Sequence, residues 1–209
     1  MKEFDIVNWN RKAQFDFFKE YEDPFFNITS NLDATNLYNY CKKNKHSFSM
    51  VCIFVLLKCA NEIPAFRLRM KDDKVVIFDK IHIGSTVLNS DNSFSFCYFK
   101  FEERLVEFLS NAKEVIANNQ KEKVFKPEEN SIDLMHCSTI PWISFTGMKH
   151  ARKGTEHLHG IPKIVFGKLF NQNKTKQLPF SVEVHHALMD GLHVAALTEK
   201  MQERINSLS

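Results

Sequence analysis

The sequence predicts a mixed β-sheet covered by helices, an α/β or α+β sandwich. Strand-like runs and helical stripes alternate along the chain, several strands are separated only by hairpin-length turns, and 209 residues at 44% apolar content can fill such a core. A chain of this length buries about 70% of its unfolded surface in one domain, without disulfides or a metal to staple it. No repeat, low-complexity tract or Gly/Pro-rich linker interrupts it, so one domain is expected over residues 1–209.

The elements follow in order. Residues 8–21 set Trp9, Phe15, Phe17, Phe18 and Tyr21 among charges and read as a short helix. Asp33 or Thr35 is a candidate cap for a helix reaching about Asn44. Ser47 or Ser49 is a candidate cap for a second, mostly buried helix to about Asn61, and Pro64 marks its exit. Residues 67–70 and 74–79 read as strands around the turn Lys71-Asp72-Asp73, and residues 94–101 as another. Leu105, Phe108, Leu109, Ala112, Val115 and Ile116 share one helical face. Four further strands are expected at 132–138, 140–146, 163–170 and 178–185. A closing helix is expected at 192–206, striped by Val194, Leu197, Met201 and Ile205.

Composition narrows the function. A formal charge of +3 with no long Lys/Arg block argues against nucleic acid. The longest apolar run, residues 50–57, is far too short to span a membrane, and the charged opening Met-Lys-Glu-Phe-Asp does not read as a signal peptide. Five cysteines, none spaced Cys-x-x-Cys and most in apolar segments, fit reduced thiols in a cytoplasmic protein. Phe stands out at 20 copies, which serve core packing or line an apolar ligand pocket.

The chemistry concentrates in Val184-His185-His186-Ala187-Leu188-Met189-Asp190-Gly191-Leu192-His193, between the last expected strand and the last helix. Strand-end loops on a rigid sheet often carry catalytic groups, and Gly191 offers a tight turn. His186 is the candidate general base, because imidazole titrates near neutral pH. His185 and His193 also read as hydrogen-bonded structural histidines. A metal site from His185, His186, Asp190 and His193 is disfavoured, since neighbouring strand positions face opposite ways.

This string, His-His-Ala-x-x-Asp-Gly-x-His, is similar to the active-site signature of the chloramphenicol acetyltransferase family. Its narrower His-x-x-x-Asp-Gly core also occurs in related coenzyme A-dependent acyltransferases and peptide-synthetase condensation domains. Asn8-Trp9-Asn10-Arg11 followed by Phe15 resembles the family's opening Trp-x-Arg-x-x-x-Phe. Lys42-Lys43-Asn44-Lys45-His46, with Phe66-Arg67 through Asp79, resembles its middle region. Ser138-Thr139-Ile140-Pro141-Trp142 is similar to its Ser-x-x-Pro-Trp segment, so the matches run from residue 8 to 193 in the family's order.

The resemblance implies a two-layer sandwich assembled as a homotrimer with sites between subunits. Acetyl-CoA is the implied co-substrate, no metal is used, and neither nucleic acid nor membrane is a partner. The acceptor is a small hydroxylated molecule, with chloramphenicol first and another alcohol as the alternative. A non-catalytic binding protein on the same fold is the remaining reading. His186 would take the hydroxyl proton at Nε2, its Nδ1–H bonded to a backbone carbonyl. Ser138 would stabilise the oxyanion, and Asp190 with Arg11 would form a structural ion pair. Phe17, Phe18, Phe25, Phe94, Trp142, Thr146, Val165 and Lys168 would contact acceptor or CoA.

Some positions depart from the pattern. Ser47 stands where the family's Lys for the CoA 3′-phosphate is expected, with Lys45 nearby, and Val165 replaces a Thr. The stretch after Pro-Trp, usually apolar, here reads Met148-Lys149-His150-Ala151-Arg152-Lys153-Gly154, followed by His157 and His159. The expectation for its cations is a solvated loop; the alternative is a basic pocket wall.

Overall fold

A computed structural model describes residues 1–72, 74–122, 125–127, 131–152 and 159–209. Asp73, Lys153, Gly154 and His157 of the sequence reading lie outside them.

The elements run β1 (Lys2–Glu3), α1 (Lys12–Phe18), β2 (Phe25–Asp33), α2 (Thr35–Asn44), α3 (Phe48–Glu62), a 3₁₀ turn (Pro64–Arg67), β3 (Leu68–Lys71), β4 (Lys74–Ile77), β5 (His82–Leu88), β6 (Phe94–Phe99), α4 (Leu105–Glu122), β7 (Leu134–Thr139), β8 (Lys163–Phe166), β9 (Phe170–Gln172), β10 (Thr175–His185) and α5 (Gly191–Asn206). A large mixed sheet takes the order β2-β10-β8-β7-β5-β6, with β9 pairing β10, and a small one takes β1-β4-β3. Only the β5–β7 and β7–β8 pairs are parallel within the large sheet.

Alternation along β10 gives the large sheet two different faces. Phe180, Val182 and Val184 point to one side, where Ile164, Phe166 and Cys97 continue an apolar surface under α2, α3, α4 and α5. Leu37, Leu56 and Leu197 of those helices are 0% exposed, and burial of each such side chain contributes about 1.5–3 kcal/mol. Ser181, Glu183 and His185 point to the opposite side. They are also buried, without a helix stripe over them.

The middle of α3 is apolar all round and packs as a core helix. Arg69 on β3 is fully buried and donates to the carbonyls of Phe66, Leu68, Ile132 and Leu134, which ties the small sheet to the start of β7. Burial pushes its guanidinium down to about 9, so it stays charged at neutral pH.

The structure corrects several expectations. No strand forms at 140–146: Pro141 cannot donate to a ladder, and Trp142 and Ile143 lie exposed on an irregular segment. The expected strand at 163–170 breaks at Gly167, whose N–H turns to the Pro179 carbonyl, into β8 and β9. Three strands, β1, β2 and β5, were not foreseen: β1 is only two residues long, and Asn27, Asn31 and Gly84 mask the strand signal of the other two. Ser47 sits at the α3 N-cap, but its hydroxyl contacts Ser49 Oγ at 3.2 Å and caps no backbone N–H. Helix α2 has Ala34 as N-cap, with Asp33 Oδ1 accepting from the Thr35 N–H and hydroxyl.

Candidate active site

His186 is the first residue beyond β10. Its N–H donates to the Pro24 carbonyl at 2.8 Å, which continues the β10–β2 ladder by one step. Arg11, 8% exposed, grips the turn that follows. It donates from Nη2 to the His186 carbonyl (3.2 Å), from Nη1 to the Ala187 carbonyl (3.2 Å) and from Nε to Asp190 Oδ2 (3.2 Å). Trp9 stands 5.3 Å from the guanidinium, so the opening motif closes over the histidine turn.

Asp190 is the N-cap of α5: its Oδ1 accepts from the Leu192 N–H at 3.0 Å and lies 2.9 Å from His193 Nδ1. Burial alone would raise this carboxyl, but His193 and Arg11 beside it, with the Leu192 N–H, hold it below its usual range. The tight geometry expected of Gly191 is absent, since it is an ordinary first residue of α5 and a Cβ there would meet nothing closer than Ile28 at 3.9 Å. The glycine that the turn requires is Gly160, at φ +66°, where a Cβ would strike Leu188 at 2.6 Å.

The His186 ring stacks on Phe18 with centroids 3.8 Å apart and planes 5° from parallel, and Phe26 lies 4.7 Å away. Nδ1 is buried with no hydrogen-bond partner among the described residues, so the implied bond to a backbone carbonyl is not present. Stacking, not that bond, orients the ring. Nε2 carries no protein hydrogen bond among the described residues and is not sealed as Nδ1 is, which leaves it open to accept a proton. His185 is buried in the sheet's polar face, where its Nδ1 accepts from the Ala187 N–H at 3.2 Å, and His193 serves the α5 cap. Among the described residues no three His, Cys, Asp or Glu side chains gather as a metal site.

Ser138 lies elsewhere. It is half-buried near the end of β7, and no hydrogen bond engages its hydroxyl among the described residues. Register aligns it with Val165 and, through Val165, with Ser181 on β10. His186 lies two strands across and five residues along from Ser138. At about 3.4 Å per residue and 4.8 Å per strand, their backbones are roughly 20 Å apart.

The other candidates divide between these two places. Phe17, 61% exposed, and Phe18 lie at the His186 end, ring to ring at 5.0 Å. Phe25 is on the far side of β2, edge-on to His185 at 5.0 Å. Trp142, Thr146 and Lys168 are exposed beyond the Ser138 end, where the Lys168 N–H meets the Ile143 carbonyl at 2.9 Å. Phe94 is on edge strand β6 and forms a triad with half-buried Phe96 and exposed Phe125 at centroid distances of 5.1–5.7 Å. Val165 is 0% exposed, so it is a core residue of this chain and not a ligand contact within it.

The basic stretch also departs from expectation. Lys149 is exposed, but His150 and Arg152 are only 15% and 16% exposed and turn onto the buried carboxylate of Glu183. His159 instead bonds the Met70 backbone. Sequence reasoning missed Glu183. Its signal was the polar alternation Ser181, Glu183, His185 inside an apolar strand.

The chloramphenicol acetyltransferase family model matches residues 1–202. A chloramphenicol acetyltransferase from Klebsiella sp is 30% identical over 200 residues, covering 95% of this chain and 91% of that protein. A solved chloramphenicol acetyltransferase structure superposes with a TM-score of 0.86 at 25% identity, over 98% of this chain and 100% of the other. The dihydrolipoamide acetyltransferase of Azotobacter vinelandii shares the fold, with a TM-score of 0.69 at 14% identity over 94% of this chain and 86% of the other.

Proposed function

The chain belongs to the chloramphenicol acetyltransferase family, and from that membership we propose that it transfers acetyl from acetyl-CoA to a hydroxyl of chloramphenicol, with His186 as general base. The observation that carries this reading is the unengaged Nε2 on an imidazole stacked against Phe18, while Arg11 fixes the backbone on which it rides. In the proposed reaction Nε2 takes the hydroxyl proton as the oxygen attacks the thioester carbonyl. The tetrahedral oxyanion collapses by breaking the C–S bond, and CoA leaves as the thiol once the imidazolium returns its proton. The free hydroxyl of Ser138 would donate to that oxyanion, and the Arg11–Asp190 pair shapes the turn without relaying protons.

Two residues roughly 20 Å apart cannot serve one bond. We therefore propose a homotrimer in which His186 of one subunit faces Ser138 of the next. The cluster of exposed Phe94 and Phe125 with half-buried Phe96, on the side away from His186, supports that arrangement as an acceptor wall. Lys45, exposed at the left-handed C-cap of α2 two residues before Ser47, is the cation we assign to the CoA 3′-phosphate, alongside Lys168. We read the chain as one cytoplasmic domain of this kind. No described helix is long and apolar enough to cross a membrane.

A second acceptor reading rests on one observation: His150, Arg152 and Glu183 place charge on the sheet face that carries Ser138. Such a wall favours a more polar alcohol than chloramphenicol. Thiol release from acetyl-CoA, followed with a chromogenic disulfide, separates the possibilities. Release with chloramphenicol supports the first reading, and silence with it but release with other alcohols supports the second. CoA binding without release for any acceptor overturns both in favour of a non-catalytic binder.

A further inference from the structure

Arg152 is in the irregular segment after Trp142, yet its guanidinium reaches three groups at the strand ends that carry the base. Its Nη2 lies 2.7 Å from Glu183 Oε1, its Nη1 donates to Asp23 Oδ1 at 2.9 Å, and its plane covers the Phe25 ring at 3.7 Å. Glu183 is 2% exposed, and a carboxylate so far from water needs a partner. His150 Nδ1 approaches the same oxygen at 3.4 Å, and Lys149 Nζ takes the other oxygen of Asp23 at 3.3 Å. Lys163, the register partner of Glu183, donates to the Ala151 carbonyl at 3.2 Å, so residues 149–152 are moored from several directions.

Each group Arg152 touches is one short step from His186. Glu183 precedes it by three residues on β10. Asp23 precedes Pro24, whose carbonyl holds the His186 N–H. Phe25 is the register partner of His185 and packs edge-on against its ring. Two arginines thus grip the turn: Arg11 binds its carbonyls, and Arg152 pairs with Glu183 on β10, which enters the turn, and with Asp23 in the bend before β2.

We infer that Arg152 is a positioning residue for the base: by holding Glu183 and Asp23 together over Phe25, it sets the backbone that presents His186. This rests on the acyl-transfer reading above. A guanidinium suits the task, because its spread charge can pair with two carboxylates at once, here Glu183 as an ion pair and Asp23 through a hydrogen bond, whereas an ammonium is a single point of charge. No hydrogen bond, ion pair or ring contact joins Arg152 to His186, so its effect passes through the backbone that carries the imidazole.

The test compares Arg152→Met, Arg152→Lys and Asp23→Asn with the parent protein, and reads kcat, KM for acetyl-CoA and the His186 imidazole proton resonance, identified by its loss in His186→Ala. A misplacement of about 1 Å costs on the order of 10²-fold, so Arg152→Met is expected to lower kcat by about 10- to 100-fold with KM for acetyl-CoA within about twofold. The His186 resonance should shift or broaden, Arg152→Lys should recover part of kcat, and Asp23→Asn, which spares the Glu183 arm, should lose less. A folded Arg152→Met protein with parental kcat, or with an unmoved His186 resonance, overturns the inference. Should that variant fail to fold, Asp23→Asn decides, since its carboxylate is half exposed: parental kcat and an unmoved resonance overturn the inference. A parent that acetylates no acceptor tells against the functional reading, while the resonance still judges Arg152.

Discussion

The two faces of the large sheet are both buried, but by different means. On the helix side, Phe180, Val182, Val184 and Ile164 are 0–1% exposed beneath α2, α3 and α5, and dispersion and desolvation suffice to hold them there. On the other side Ser181, Glu183, His185 and Lys163 are 0–7% exposed, and these polar groups need named partners: Asn27 for Ser181, Arg152 and His150 for Glu183, the Ala151 carbonyl for Lys163. A face built from volume tolerates any side chain that fills it. A face built from directed pairs fixes positions, and it is the face that carries Ser138 and, on β10, His185, the residue next to His186.

That contrast makes opposite predictions for the two sides. Removing the base tests it hardest: His186→Ala should lower kcat by about 10²–10⁴ with the urea unfolding midpoint unchanged. Ser138→Ala should lower kcat by roughly 10²–10³ with the fold intact, and an unchanged kcat with a raised KM would make it a binding residue only. On the helix side, Phe180→Ala should cost about 3–5 kcal/mol of stability, read from denaturant unfolding, with turnover per folded molecule near parental. A large kcat loss there would erase the distinction between the faces. Arg11→Met falls between, because Arg11 is nearly buried while the Asp190 carboxylate is 35% exposed and partly screened. It should cost roughly 1–3 kcal/mol and lower kcat as well.

The smallest effect is in the acid limb. Asp190 and Glu183 are both held below their ordinary values: burial opposes this, but His193 and Arg11 at the first and His150 and Arg152 at the second outweigh it. Their contribution to stability is therefore fully present above the unfolded carboxyl values near about pH 4, and is lost as pH falls through the lowered folded values. Glu183→Gln should flatten the fall in unfolding midpoint between about pH 5 and pH 3. An equally steep fall in that variant would remove Glu183 from the account.

Much of this arrangement was legible in the residues. The stripes of α4 and α5, the apolar α3 and the strand ending in His185 follow from periodicity, which local sterics and burial impose on any chain. The signature around His186 pointed to the Asp190–Arg11 pair, which forms at 3.2 Å, and to His186 as the proposed base, though the ring's orientation by Phe18 was not foreseen. Strand β2 was missed because Asn27, Asn31 and Asp33 dilute its β-propensity, and only pairing along β10 makes it a strand. The segment at 140–146 misled in the other direction: it is apolar enough for a strand, but Pro141 breaks the ladder.

Composition and pattern by themselves determined the helix–sheet layering, the reduced cysteines and the histidine at a strand end. Each depends on a residue's own chemistry or on neighbours within a turn or two of chain. Tertiary structure alone decided that Val165 is fully buried, that Ser138 stands far from His186 within one chain, and that Arg152 reaches Glu183 and Asp23. Those outcomes depend on which strands become neighbours and in what register, and a register set by long-range pairing is not written in any short stretch of sequence.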